Sequence, residues 1–451
     1  MVDDARQAAY EAVAAVHRDD AYANLALPRI LRELRLHGRD AAFATELTYG
    51  TLRAAGTLDM IIEVAAGREV SRIDPPARDA LRLGAYQLLH MRVPAHAAVS
   101  STVDLVRAVV GASATGFANA VLRRIGEKSL DAWIAQIAPD RTSDPLGYLA
   151  VAHSHPPWIT RAFAEALHGD LAETEALLAE NNVPAAVHLC ARPGFGSAAD
   201  LAAEVGGQVG RYSPFAVYLP GGAPGELAAL LDGRAHVQDE GSQLVALALA
   251  DAALSGPDAR WLDLCAGPGG KAALLGALAA QRGAQVTAVE VAPHRAELVE
   301  QAVRGLPVTV LCADGRELEA DGSFDRVLVD APCSGLGSLR RRAEARWRRQ
   351  PSDLPPLTRL QRELLTAALR AVRPGGLVAY VTCSPHLVET QVTVTETARR
   401  VPYAVELVDV RPALPDGLPD LGTGPSVQLW PHRHGTDAMF VSLIRRLEQE
   451  R

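Results

Sequence analysis

The sequence predicts a multidomain chain: an all-α bundle over residues 1–142, a small α+β subdomain over 143–235 and an α/β, Rossmann-like domain over 236–451. Three observations predict it. Apolar residues recur at intervals of three and four through the first third, as in Leu81, Ala85, Leu88 and Leu89. Two short strand-like runs divided by glycine-rich turns follow. Beyond residue 236, short runs rich in β-branched residues alternate with helical stretches, the pattern of a parallel sheet covered by helices on both faces.

Residues 4–128 read as about five to seven helices, broken at Pro28, Gly38, Pro75-Pro76 and Pro94. Residues 129–157, which hold Pro139, Pro145, Pro156 and Pro157, read as a connection, and a helix is expected from Trp158 to Asn181. AVHLCAR and FAVYLP are the middle strands. WLDLC, QVTAVE, VTVLC, DRVLVD and GLVAYVT follow as strands of the large sheet, and AMFVSLIRR is one more, antiparallel at its interior or edge. No internal repeat and no low-complexity tract interrupts this order.

Composition narrows the function classes. Hydrophobic residues make up 48% of the 451 and charged residues 22%, as in an ordinary soluble globular protein. The cysteines, Cys190, Cys265, Cys312, Cys333 and Cys383, are odd in number and contain no C-x-x-C pair. That argues against a disulfide framework and against zinc, so no metal is expected and a reducing cytoplasm is the natural compartment. The N-terminal MVDDARQAAY lacks the apolar core of a signal peptide, and no run of about 18 apolar residues marks a membrane span. A net charge of −8 weighs against nucleic-acid binding unless a local basic patch exists.

The first strand of the α/β part ends in D-L-C-A-G-P-G-G-K, residues 263–271, ahead of a helix. Glycines there let the backbone approach a ligand while the helix N-terminus offers free N–H groups. Cys265, Ala266, Gly267, Pro268, Gly269, Gly270 and Lys271 form this candidate cofactor turn. A P-loop would need Gly where Cys265 stands and Ser or Thr where Ala272 stands. A dinucleotide turn would need its third glycine further on than Gly270. S-adenosylmethionine sites accept the form present, and a ligand-free corner between strand and helix would also produce it. Glu290 ends the next strand, where a carboxylate can accept both ribose hydroxyls; Asp314 follows the third, placed for an adenine amino group.

The fourth strand ends in D-A-P-C-S-G, with Asp330 and Cys333, and the fifth in V-T-C-S, with Cys383. Neighbouring parallel strands bring both thiols and the carboxylate to the crevice of the glycine turn. Such a set suits methylation of cytosine at C5, which needs a thiolate to attack C6, an acid near N3 and a base for the C5 proton. Cys190 and Cys312 read as buried packing residues, and so does Cys265 despite its place in the turn.

These motifs resemble the RsmB/Sun (Fmu) family of 16S ribosomal RNA cytosine-5 methyltransferases. The resemblance implies S-adenosylmethionine as cofactor, Cys383 as nucleophile, Cys333 as the thiol that assists product release and Asp330 as a contact to the target base, cytosine 967 in the family's reference rRNA numbering. It reaches the N-terminus, where R-D-A-A-F-A-T-E-L-T-Y-G-T-L-R, L-R-L-G-A-Y-Q-L-L and G-F-A-N-A-V-L-R-R look like a NusB-type RNA-binding domain. The chain departs from the family pattern at Gly267 (commonly Ala), at Glu290 (often Asp), at Thr390 (usually Asn) and in G-T-D-A-M-F.

The basic patch that RNA binding requires is expected just after Cys333, in Arg340, Arg341, Arg342, Arg346, Trp347, Arg348 and Arg349. Arg53, Arg82, Arg123 and Arg124 are further candidate phosphate contacts, whereas His153 and His155 read as satisfied linker histidines. The expected partner is small-subunit ribosomal RNA, bound by a monomer. The same chemistry on transfer RNA, and a non-catalytic NusB-like binder, are the alternatives.

Overall fold

The computed structural model describes residues 3–221 and 224–450. They form two compact units, one of Met1–Val183 with Leu339–Arg349, the other of Pro184–Ser338 with Gln350–Arg451.

The first unit is helical. Asp4–Arg18, Ala23–Glu33, Gly38–Ala66, Pro75–His90, Ala95–Val109 and Thr115–Ile125 are the helices of the first 128 residues, around a core of Leu47, Leu58, Ile61, Leu81 and Leu122. Pro75 and Pro76 open their helix, where a missing N–H costs nothing. Pro28 does not break the chain as expected: it lies inside Ala23–Glu33, where burial of Ala23, Ala26, Leu27 and Ile30 outweighs one lost hydrogen bond.

The expected connection at 129–157 instead contains two short helices, Leu130–Ile137 and Pro145–Ala152, capped by Ser129 and Asp144. Trp133 anchors the first, buried with its indole N–H on the carbonyl of Ile125 at 3.0 Å. The helix expected over 158–181 is two, Pro157–Ala166 and Leu171–Glu180. They part at His168 and Gly169, whose φ angles of 57° and 82° no helix accepts. Helical structure thus continues to the end of the first unit's main segment, past the division expected at residue 142.

The second unit opens with a four-stranded antiparallel sheet of β1 (Val187–Ala191), β2 (Gln208–Val209), β3 (Ala216–Leu219) and β4 (Ala235–Val237), in the order β2-β3-β1-β4. The large sheet holds β5 (Arg260–Asp263), β6 (Gln285–Glu290), β7 (Val308–Cys312), β8 (Phe324–Asp330), β9 (Val372–Thr382), β10 (Tyr403–Val408), β11 (Val427–Gln428) and β12 (Phe440–Glu450). Its order is β10-β12-β9-β8-β5-β6-β7, with β11 paired to β12.

Strands β5 to β9 are parallel, as expected, but the sheet is mixed. β12 runs antiparallel between β9 and β10, and β10 was not foreseen. Helices cover both faces: Leu274 and Leu275 pack in one core, Leu364, Leu365 and Leu369 in the other. From β5 the chain moves outward to β6 and β7, then returns to the opposite side of β5 as β8. That reversal opens a crevice at the carboxyl ends of β5 and β8.

Candidate active site

Three strand ends build the crevice. β5 delivers the glycine turn. Gly269 takes φ +112°, and a Cβ there would lie 2.7 Å from that of Ala302, so only glycine fits. A Cβ on Gly267 would strike the Glu290 carboxylate. Glu290, buried at the end of β6, accepts the N–H of Gly267 on Oε2 and that of Ala292 on Oε1, both at 3.0 Å. Backbone donors thus clamp the turn to the carboxylate.

Asp263 ends β5 and is fully buried; its Oδ2 has no hydrogen-bond partner among the described residues. Burial first, and the nearby Asp330 second, push its carboxyl up to about 7. Lys271, in the first turn of the following helix, reaches across to Asp330, Nζ to Oδ2 at 2.8 Å. Burial pulls the lysine down, but the pairing with Asp330 prevails and its net shift is upward. The sequence placed Lys271 among cofactor contacts; the geometry pairs it with Asp330.

Asp314, after β7, is occupied by its neighbour: Arg316 offers it a backbone N–H, Nε and Nη2, with Nη2 to Oδ2 at 2.6 Å. An adenine amino group would compete with those donors. Cys312, expected to be buried, is exposed, because β7 is the edge strand of the sheet. Cys190 is buried in the core. Cys265 is half-buried and packs against the core beneath the large sheet.

β8 and β9 are hydrogen-bonded neighbours in parallel register, so the turns that leave them run side by side. Their cysteines meet: Sγ of Cys333 lies 3.4 Å from Sγ of Cys383. The hydrogen bond to Cys383, then burial, hold the Cys333 thiol well above its ordinary range. Gly337 crosses over the second cysteine, its N–H on the Cys383 carbonyl at 2.9 Å and its own carbonyl accepting from Ala438 at 2.9 Å. Cys383 is also within electrostatic reach of Lys271. An ammonium–carboxylate pair and two touching thiols therefore share one crevice with a turn shaped for a ligand.

Sequence reasoning missed the groups beneath the thiols. Ser334 and Ser384, each following its cysteine, lie 3.1 Å apart, Oγ to Oγ, and both donate to the buried carboxylate of Glu389. The repeat of Cys-Ser at both strand ends was the available signal. Gln361, from the helix Leu354–Ala371, had none.

The expected arginine patch divides between buried and exposed side chains. Leu339–Arg349 belongs to the helical unit, and Arg346 is fully buried there. Its guanidinium donates to the carbonyls of Ser154 and Asn181 at 3.0 and 3.1 Å and to Oδ1 of Asn182 at 2.8 Å. Burial, then Arg53, lowers it to about 9. Trp347 donates to the Leu52 carbonyl, Arg348 to those of Val16 and Ala21, and Arg340 is buried beside Glu180. Arg346, Trp347 and Arg348 thus satisfy backbone carbonyls that a bundle leaves open. Arg341 and Arg349 are half-buried, and Arg342 is exposed. Arg53 and Arg82 are also buried, Arg82 between Asp59 and Asp79, while Arg123 and Arg124 are exposed.

Known proteins share this combination. A profile of the family described as 16S rRNA methyltransferase RsmB/F matches residues 252–445, and the NusB family profile matches 3–127. A Mycobacterium tuberculosis protein described as a candidate methyltransferase is 58% identical over 99% of this chain and 97% of its own. Ribosomal RNA small subunit methyltransferase B of Vibrio cholerae is 31% identical over 86% of this chain and 88% of its own. The chain belongs to the RsmB/F family of 16S rRNA methyltransferases. The fold agrees: the crystal structure of PH0851 superposes with a TM-score of 0.80 at 23% identity, covering 98% of both chains.

S-adenosylmethionine is the methyl donor of the family, and the residues present fit it. Gly267 and Gly269 leave a turn with no side chain in the way. Each Glu290 oxygen accepts a single backbone N–H, which leaves a lone pair for a ribose hydroxyl. The free Oδ2 of Asp263 is a buried acceptor with nothing to accept. Among the described residues no helix is long and apolar enough to cross a membrane.

Proposed function

We propose that this chain methylates carbon 5 of a cytosine in 16S ribosomal RNA through a transient bond between Cys383 and C6 of the base, cytosine 967 being the position the family leads one to expect. The observation that carries the reading is the contact between the Cys333 and Cys383 thiols, 3.4 Å apart beside the Lys271–Asp330 pair.

S-adenosylmethionine, when bound, supplies an electrophilic sulfonium methyl; Gly267, Gly269, Gly270 and Glu290 would hold it, with Asp263 beneath. Cytosine C5 is a weak nucleophile. Lys271 favours the Cys383 thiolate by its charge, and the thiolate adds to C6 as the Lys271–Asp330 pair gives a proton to N3. The electron pair released from the C5–C6 double bond makes C5 enamine-like; C5 takes the methyl, and the donor's S–CH3 bond breaks to leave a neutral thioether. Cys333, its thiol proton released to solvent once Cys383 is bonded to C6, then removes the C5 proton as thiolate. The C5–C6 double bond re-forms, the C6–S bond breaks, Cys383 leaves as thiolate and N3 returns its proton to the pair.

The raised Cys333 thiol suits this order of events. Its largest cause is the hydrogen bond to Cys383. Once Cys383 is bonded to C6 that contact is gone, and Cys333 ionises more readily at the stage that needs a base. The base must leave its stack to reach Cys383, so a loop or single-stranded site is the expected target.

Cys383→Ala is expected to lower methyl incorporation from tritiated donor into 16S RNA by about a thousandfold or more. Cys333→Ala is expected to leave protein covalently held on RNA, seen as a slow band in a denaturing gel. Methylation retained by Cys383→Ala would refute the adduct. Transfer RNA in the same assay tests the choice of substrate.

A further inference from the structure

We propose that Glu389 is a positioning residue for the methyl transfer, a buried carboxylate that braces the two cysteine-bearing turns and so sets the separation of the two thiols. The proposal rests on the two-cysteine reading above. It goes beyond that reading by assigning a role to a side chain that touches neither substrate nor cofactor.

The geometry is specific. Glu389 is fully buried, six residues beyond Cys383. Its Oε1 accepts the backbone N–H of Ser334 at 2.8 Å and Nε2 of Gln361 at 3.1 Å. Its Oε2 accepts the hydroxyls of Ser334 at 2.5 Å and Ser384 at 2.7 Å. The one carboxylate thereby binds the residue after each cysteine. The same Gln361 amide donates to the Pro332 carbonyl at 2.9 Å, on the other side of Cys333. The Tyr380 hydroxyl donates to the Glu389 carbonyl at 2.7 Å and fixes its backbone to β9.

Four donors to one carboxylate offset the cost of burying it. No apolar side chain could bridge two turns with a comparable set of directed bonds. Among the titratable groups that act on Cys333 are Cys383, Glu389 and Tyr380, and the first two raise its thiol.

Two variants of the full-length chain test this. Glu389→Gln keeps the shape and an acceptor for the Ser334 N–H but removes the charge; Glu389→Ala removes the brace. Glu389→Ala is expected to lower kcat about 100-fold with KM for RNA and for the donor within about threefold. Glu389→Gln should recover at least a tenth of wild-type kcat, a rescue that follows the bonds rather than the charge. Iodoacetamide labelling of Cys333, read by mass spectrometry across pH, needs no RNA. In Glu389→Gln it should begin about one pH unit lower than in the wild type.

Wild-type labelling of Cys333 in Glu389→Gln, or kcat within about threefold of wild type in Glu389→Ala, overturns the proposal. So does loss of donor binding in parallel with kcat, which would mark general collapse. Where Glu389→Ala does not fold, the labelling profile of Glu389→Gln decides. If Cys383→Ala retains methylation while Glu389→Gln still shifts the labelling, the reaction was misread and the brace stands.

Discussion

The connection from β8 to the helix Leu354–Ala371 has two halves, the first rich in small residues and the second in arginine, with opposite fates. Asp330–Ser338 forms close turns at the crevice beside the glycine turn, with Cys333 against Cys383 and Gly337 on the Cys383 carbonyl. Leu339–Arg349 joins the helical unit, where Arg346 is spent on backbone carbonyls. The first half is held by steric constraint and by bonds to a neighbouring strand. The second half is held by long side chains that found acceptors. A charge run predicts positive charge; it does not predict which acceptors will be near, and buried carbonyls compete with phosphates for arginine.

The largest test of this contrast falls on the first half. A Cβ on Gly337 would strike the Ala438 carbonyl and lie 2.9 Å from that of Cys383, with backbone on both sides and no flexible neighbour to yield. Gly337→Ala should therefore displace the turn over Cys383, the proposed nucleophile. Misplacement by about an ångström is worth about 100-fold in rate. We expect kcat to fall by that order while calorimetric binding of S-adenosylmethionine, held by other turns, stays within about threefold. An unchanged kcat would mean that the Gly337 crossing does not set the position of Cys383.

The second half should respond in stability instead. Arg346→Ala leaves the carbonyls of Ser154 and Asn181 and the Asn182 amide oxygen without their donor in a buried place. At about 1–3 kcal/mol for each abandoned group, a loss of about 4 kcal/mol is expected, read by urea unfolding. Arg342→Ala, on an exposed side chain, should stay within about 0.5 kcal/mol. If Arg346→Ala were as mild as Arg342→Ala, and instead weakened RNA binding with a reduced salt dependence, the phosphate reading of this segment would be restored.

These two halves also explain what was legible in the sequence. The runs of β5 to β9, the glycines of the turn and the two Cys-Ser corners were legible because each states its constraint locally. Their meeting followed from strand adjacency in a parallel sheet. β10 was not: it pairs only with β12, and its residues are largely half-exposed, so it lacks a continuous apolar run. The helices at 130–137 and 145–152 hid among prolines that turned out to flank or open them. The burial of Arg346 and the brace at Glu389 depend on partners far away in sequence, from Asn181 to Gln361, and no spacing rule links them.

The smallest expected effect concerns a buried charge that lacks what Arg346 has. Asp263 is fully buried with a free Oδ2, and burial together with Asp330 raises its carboxyl to about 7, against 3.8 for the free side chain. Between those values the folded protein holds a proton that the unfolded chain has lost. The contribution is therefore complete below pH 4 and is lost as pH rises toward and through 7. At about 1.4 kcal/mol per pH unit, the part of that window above pH 5 corresponds to roughly 2–3 kcal/mol of stability lost in the donor-free protein. Asp263→Asn cannot ionise and should lose less. Urea unfolding at pH 5 and pH 8 would then show the variant gaining on the wild type as pH rises, whereas parallel curves would mean that Asp263 is ionised throughout and its second oxygen is solvated.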